Sequence, residues 1–269
     1  MSSTPDQNTP PTTAQDPFYV GYLPAPEPHR RSVRLAIILV AVWFVFCAFI
    51  LVLSARTPGT ATWNTSNEMS WTGLLIKEPY PALITDDDTL LVVSMGKSGA
   101  HDQLAGAFGK HITLRGYELQ RQGRRMIELV PGSIEPANGT HTPATLNLLD
   151  EQPSEFVGEI IDGKCYLGAM KPGDGFAHRA CAVLCLRGGL PPMFAESGQS
   201  QGRLPLLIID GKAQIPSEQY HLVATRVRLM ARRATLGQLP VLVVDSRSIE
   251  QADGFLGMPK SIIVGADSG

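Results

Sequence analysis

The stretch Phe156-Val157-Gly158-Glu159-Ile160-Ile161-Asp162-Gly163-Lys164-Cys165-Tyr166 decides the reading of this chain, because its first half occurs twice. Trp71-Thr72-Gly73-Leu74-Leu75-Ile76 has the same build, with an aromatic start, a glycine in third place and an apolar close. Further runs then match in order. Pro81-Ala82-Leu83-Ile84 pairs with Pro191-Pro192-Met193-Phe194, and Leu90-Leu91-Val92-Val93 with Leu206-Leu207-Ile208-Ile209. His111-Ile112-Thr113-Leu114-Arg115 pairs with Arg226-Val227-Arg228-Leu229-Met230, and Met126-Ile127-Glu128-Leu129 with Val241-Leu242-Val243-Val244. Both series close on Ser-Ile-Glu, at 133–135 and 248–250.

These runs are short, rich in β-branched residues and bounded by Gly, Pro or Asp, as strands are. A short helical candidate precedes the fourth run of each copy, at 102–108 and at 217–222. Five strands with a helix after the third is the layout of a small OB-like barrel. The arginines of Arg226-Val227-Arg228-Leu229 alternate with apolar residues and read as a solvated strand face. Asp86-Asp87-Asp88 reads as a turn between strands.

Upstream, Leu35 to Leu53 is an unbroken apolar run of 19 residues, LAIILVAVWFVFCAFILVL, with Cys47 inside it. As a helix it would be about 28 Å long, close to the ~30 Å hydrocarbon core of a bilayer. It is longer than the apolar region of a cleaved signal peptide, and Val52-Leu53-Ser54-Ala55 is a poor cleavage site, so a retained anchor is expected. Arg30, Arg31 and Arg34 precede the run and only Arg56 closely follows. The positive-inside rule then puts the N-terminus in the cytoplasm and residues 57 onward outside.

The fold class expected is therefore mainly β, a single N-terminal transmembrane helix followed by two OB-like barrels in tandem. The divisions are a disordered cytoplasmic tail (1–31), rich in Pro and Thr, an anchor (32–55) and a first barrel (56–136). A Pro-containing linker (137–154), a second barrel (155–250) and a flexible C-terminal tail (251–269) complete the chain.

The second copy is 30 residues longer than the first between its glycine and its closing serine, 158–248 against 73–133. Most of the excess is one insertion after Tyr166, which carries His178, Cys181 and Cys185, with Cys165 at its edge. The first copy has no cysteine. Residues 179–187 read as a two-turn helix stopped by Gly188-Gly189 and Pro191-Pro192. Cys181 and Cys185 then share a face, with His178 one turn earlier.

Three chemistries fit Cys165, His178, Cys181 and Cys185. One is a disulfide from Cys165 to Cys181 or Cys185, suited to an oxidising compartment. The second is a metal site, since three thiolates and an imidazole form a tetrahedral set for zinc, and soft thiolates also suit copper(I) or iron. The third is a reactive thiol activated by His178. Small cysteines that only fill a core are the plain alternative.

The pattern Gly158-Glu159-Ile160-Ile161-Asp162, Cys165-Tyr166-Leu167, then His178-x-x-Cys181-Ala182-x-x-Cys185-x-x-x-Gly189-x-Pro191 resembles a family of small bacterial extracytoplasmic OB-like domains. The resemblance covers residues 156–250 and is most specific at the cysteine segment. It implies an exported bacterial β domain with a structural or functional cysteine loop, and no established activity.

A net charge of −2 and a pI near 6.3 argue against a nucleic-acid partner. Met95-Gly96-Lys97-Ser98 lacks the upstream glycine of a phosphate-binding loop, and no C-x-x-C-H, H-E-x-x-H or G-x-S-x-G segment occurs. The expectation is an anchored accessory protein of the bacterial inner membrane, with its bulk in the periplasm. It binds a metal or a protein partner through the Cys/His loop, beside a respiratory or metal-handling membrane complex. A thiol-based redox protein is the runner-up, and a disulfide-stapled scaffold the third reading.

Overall fold

The computed structural model describes residues 27–54, 61–197 and 204–252. The tail at 1–26 and the C-terminal tail from residue 253 lie outside the described residues. Helix α1 (Glu27–Ser54) contains a 25-residue stretch, His29–Leu53, long and apolar enough to cross a membrane. Its valines, leucines and phenylalanines are exposed. The helix starts earlier than the tail boundary at residue 31 anticipated. Pro28 sits in its first turn, where a missing N–H costs nothing.

The described residues from 61 onward belong to one compact unit containing two closed barrels. In the first, β1 (Ala61–Trp63) leads into β2 (Met69–Ile76), β3 (Ala82–Ile84) and β4 (Thr89–Val93). Helix α2 (His101–Leu104), β5 (His111–Arg121), β6 (Arg124–Leu129) and the short β7 (Glu135–Pro136) follow. β2 pairs with β3, β3 with β4, β4 with β6 in parallel, β6 with β5, and β5 back with β2. The ring is closed with the strand order of an OB-like barrel.

The second barrel repeats this order. It runs through β8 (Leu146–Leu148), β9 (Ser154–Asp162), α3 (Arg179–Arg187), β10 (Pro192–Glu196), β11 (Leu206–Ile209), β12 (Arg226–Leu236), β13 (Leu239–Val244) and β14 (Glu250–Gln251). The ring is β9-β10-β11-β13-β12-β9, with β11 and β13 again parallel. The residues read as a turn, Asp86-Asp87-Asp88, connect β3 to β4, and α3 has the bounds anticipated from the sequence.

The repeat extends to details. Ser133 Oγ accepts from the Arg115 N–H on β5 at 3.1 Å, and Ser248 Oγ accepts from the matching Met230 N–H on β12 at 3.3 Å. This is why both copies end on serine. β1 pairs with the end of β5, and β8 pairs with the end of β12 in the same way. The interval read as a linker therefore contains a strand, the counterpart of β1. Arg233 clips its end through three contacts to Asp150, holding that carboxyl at about 2, below the usual carboxylate range.

The opening glycines also act alike. A Cβ on Gly73 would stand 2.2 Å from the Ile84 carbonyl oxygen, and one on Gly158 2.2 Å from that of Ala195. β2 and β9 pass close against the backbone of a neighbouring strand there, and only glycine fits. Gly158→Ala is expected to cost about 1–3 kcal/mol from overpacking against backbone, while Gly106→Ala, with nothing near its Cβ, stays within about 0.5 kcal/mol. Chemical unfolding of the two variants checks the difference, and equal midpoints would refute the close-approach argument.

Three apolar layers build the unit. Leu75, Leu83, Leu90, Val92, Leu114 and Ile127 fill the first barrel, and Ile160, Phe194, Leu207, Ile209, Leu229 and Leu242 the second. Between them lies a shared layer in which Ile76, Leu91, Val93 and Met126 meet Ile161, Met193, Leu206, Ile208 and Val241. Strands β4 and β11 are buried on both faces, which explains why Leu90–Val93 and Leu206–Ile209 are continuously apolar rather than alternating. Cys165, Tyr166, Leu167 and Cys185 belong to this shared layer. The cysteine segment therefore sits where the two barrels meet.

Candidate metal centre

The Gly-Glu-Ile-Ile-Asp run of β9 distributes its side chains between three tasks. Gly158 permits the close approach of β10, and Ile160 and Ile161 point into the second barrel and the shared layer. Glu159 Oε2 accepts the Gly175 N–H at 2.8 Å, tying down the start of the insertion. Asp162 ends the strand fully buried, and its two oxygens serve two partners. Oδ1 accepts the Cys165 N–H at 2.8 Å, while Oδ2 lies 2.9 Å from His178 Nε2.

Beyond Gly163 the chain enters a wide helical turn, Cys165–Ala169, rather than continuing as strand. This turn is gripped by the first barrel. Lys164, on its doorstep, sends its ammonium to Glu128 Oε1 at 2.6 Å and to the Ser94 and Gly96 carbonyls at 2.8 and 2.7 Å. Glu128 Oε2 accepts from Trp63 Nε1 at 2.9 Å, so both ions of this pair, 3% and 2% exposed, are hydrogen-bonded. Arg121 donates to the Tyr166 carbonyl at 3.0 Å and lies 4.0 Å above the Tyr166 ring.

The other candidates come from the insertion. His178 ends a 3₁₀ turn, Phe176–His178, immediately before α3, and is buried. Cys181 on α3 is partly exposed, and Cys185, one turn on, is fully buried. The structure brings all four sequence candidates together around Cys165, in two overlapping groups. Cys165, His178 and Cys181 offer ligand atoms within 4.8 Å of one another, and so do Asp162, Cys165 and Cys185. Cys165 belongs to both.

No disulfide is present among the described residues, contrary to the pairing of Cys165 with Cys181 or Cys185 weighed from the sequence. Cys165 Sγ lies 3.7 Å from Cys185 Sγ and 4.0 Å from Cys181 Sγ, contact distances well beyond the ~2.05 Å of an S–S bond. The sulfurs are in hydrogen-bond contact instead. The hydrogen bond to Cys185 drives the Cys165 thiol far above its ordinary pKa, with burial and the Asp162 charge acting in the same direction. The same bond lowers Cys185.

These separations also suit a soft metal. A tetrahedral ion with bonds of about 2.3 Å to sulfur places neighbouring sulfurs about 3.8 Å apart, bracketed by the 3.7 and 4.0 Å observed. The Asp162 carboxylate on Nε2 orients the His178 ring and leaves Nδ1 as the nitrogen available to an ion, the usual support of a metal-bound imidazole.

Sequence reasoning missed two residues here. Asp162 stood inside the quoted stretch, and its spacing of three before Cys165 is the local signal of a side chain accepting from the backbone. Lys97, in the loop dismissed as a phosphate-binding remnant, reaches Cys181 Sγ with its ammonium at 3.3 Å. That contact raises the lysine's pKa. Nothing in the local sequence announces it.

Comparison of the chain with protein-family models, with curated proteins and with solved structures returns no match. The barrels are compatible with OB-like folds.

Proposed function

We propose that this chain is a single-pass membrane protein that holds one soft metal ion, zinc or copper(I), at the junction of its two barrels. Cys165, His178 and Cys181 supply three ligands. Cys185, in contact with Cys165, supplies the fourth. The observation that carries this reading is the buried pair Asp162–His178, whose side chains are 0% and 1% exposed, beside Cys165, whose sulfur lies at tetrahedral-edge spacing from the other two. A carboxylate spent on orienting an imidazole toward a sulfur cluster has no evident use in a plain apolar core.

In this reading α1 is the anchor, and the arginines in its first turns, taken with the positive-inside rule, support an N-terminus in the cytoplasm and barrels in the periplasm of a bacterium. An anchored soft-metal site in that position suits an accessory protein of a respiratory or metal-handling membrane complex. A thiol redox protein is the second reading, favoured by the 3.7 Å contact between Cys165 and Cys185 and by the Lys97 ammonium over Cys181.

Metal analysis and thiol counting on the full chain, solubilised in detergent without chelator, separate the two. The metal reading expects one ion per chain and three barrel thiols that become titratable only after the metal is removed. A chain free of metal whose thiols cycle between dithiol and disulfide would overturn it in favour of the second reading.

A further inference from the structure

The loop Met95-Gly96-Lys97-Ser98 belongs to the barrel without cysteines, yet it is built onto the cysteine cluster. Lys164 Nζ binds the carbonyls of Ser94 and Gly96, and the Gly99 N–H donates to the Gly188 carbonyl at 2.9 Å. At Gly188 the loop approaches so closely that a Cβ would stand 1.9 Å from the Lys97 carbonyl oxygen. Between these attachments Lys97 extends its ammonium to Cys181 Sγ, 3.3 Å away. Among the described residues no carboxylate forms an ion pair with it. The cation is held against sulfur.

We infer that Lys97 is a specificity-determining residue of the metal centre, a fixed cation that selects a thiolate-rich complex carrying net negative charge. The inference rests on the metal-binding reading above. Zinc held by three thiolates and a neutral imidazole carries a net charge of −1, and copper(I) held by two thiolates also carries −1. An ammonium beside one of those sulfurs stabilises either complex by direct attraction and by donating to the sulfur. It opposes a complex in which Cys181 stays a neutral thiol. The counter-charge at Cys181 thus comes from the first barrel, across the junction of the two. Lys97 is exposed, so the effect is moderated by solvent and salt.

The test is competitive titration of zinc(II) into the reduced, metal-free full chain in detergent, against a chromophoric chelator, at low and high potassium chloride. Relative to wild type, Lys97→Arg is expected to bind within about threefold, Lys97→Met about tenfold more weakly and Lys97→Glu about a hundredfold more weakly. Added salt weakens the wild type more than Lys97→Met. Lys97→Met and Lys97→Glu binding within twofold of wild type would overturn the inference, as would Lys97→Arg losing as much as Lys97→Met. A metal-free unfolding midpoint that falls in step with affinity would overturn it too, by assigning Lys97 to packing. A wild-type chain that takes up neither zinc(II) nor copper(I) is a different result, because it removes the metal reading itself.

Discussion

Lys164→Met is expected to destabilise the two-barrel unit by about 3–5 kcal/mol, the cost of removing one partner of a buried ion pair. The ammonium satisfies Glu128 and two backbone carbonyls of the first barrel at once. Without it, a buried carboxylate keeps only the Trp63 N–H, and the Ser94 and Gly96 carbonyls lose this donor. For a unit of this size the melting temperature should fall by roughly 10 °C. Adding Glu128→Leu to Lys164→Met should restore more than half of the loss, because an apolar pair of similar volume carries no desolvation penalty. Thermal melts of the three proteins followed by circular dichroism decide it. A single variant that melts with the wild type would mean that the pair does not hold the barrels together. Because Lys164 precedes Cys165, the single variant should also loosen the proposed metal site, so metal uptake is best compared well below the melting range.

Cys165→Ser should cause the largest loss of metal affinity among the three cysteine variants, a hundredfold or more. That is about a fifth of the ~10–16 kcal/mol of a four-ligand zinc site. Its sulfur is the one shared by both ligand groups, whereas Cys181 and Cys185 each belong to one. Asp162→Asn should weaken binding by about 10- to 100-fold without removing a ligand, since an amide supports the His178 ring less well than a carboxylate. Titration with zinc(II) ranks the variants. Equal losses for all three cysteines would contradict the hub role of Cys165, and an Asp162→Asn protein binding like wild type would contradict the orienting role of the carboxylate.

The barrels were legible in the sequence because strand runs repeat in order, and five matched pairs became five matched strands. Their packing against one another was not. It leaves only an indirect trace, the continuously apolar Leu90–Val93 and Leu206–Ile209, which reads as buried strand without saying what covers the second face. Leu146-Asn147-Leu148 escaped notice because three residues are too few to show a period among prolines and threonines. The four candidate residues stood out in the sequence by type and crowding, and the fold brings them together. Their geometry depends on contacts no local pattern encodes. Asp162 reaches His178 inside the insertion, and Lys97 reaches Cys181 from another barrel.

X-ray absorption at the metal edge, on the full chain purified in detergent under reducing conditions without added chelator, tests the central claim most directly. One zinc or copper ion per chain is expected, with a first shell dominated by sulfur, at about 2.3 Å for zinc, and with at least one sulfur scatterer lost in Cys165→Ser. A protein without stoichiometric metal, or one whose metal shell holds only oxygen and nitrogen, would contradict it.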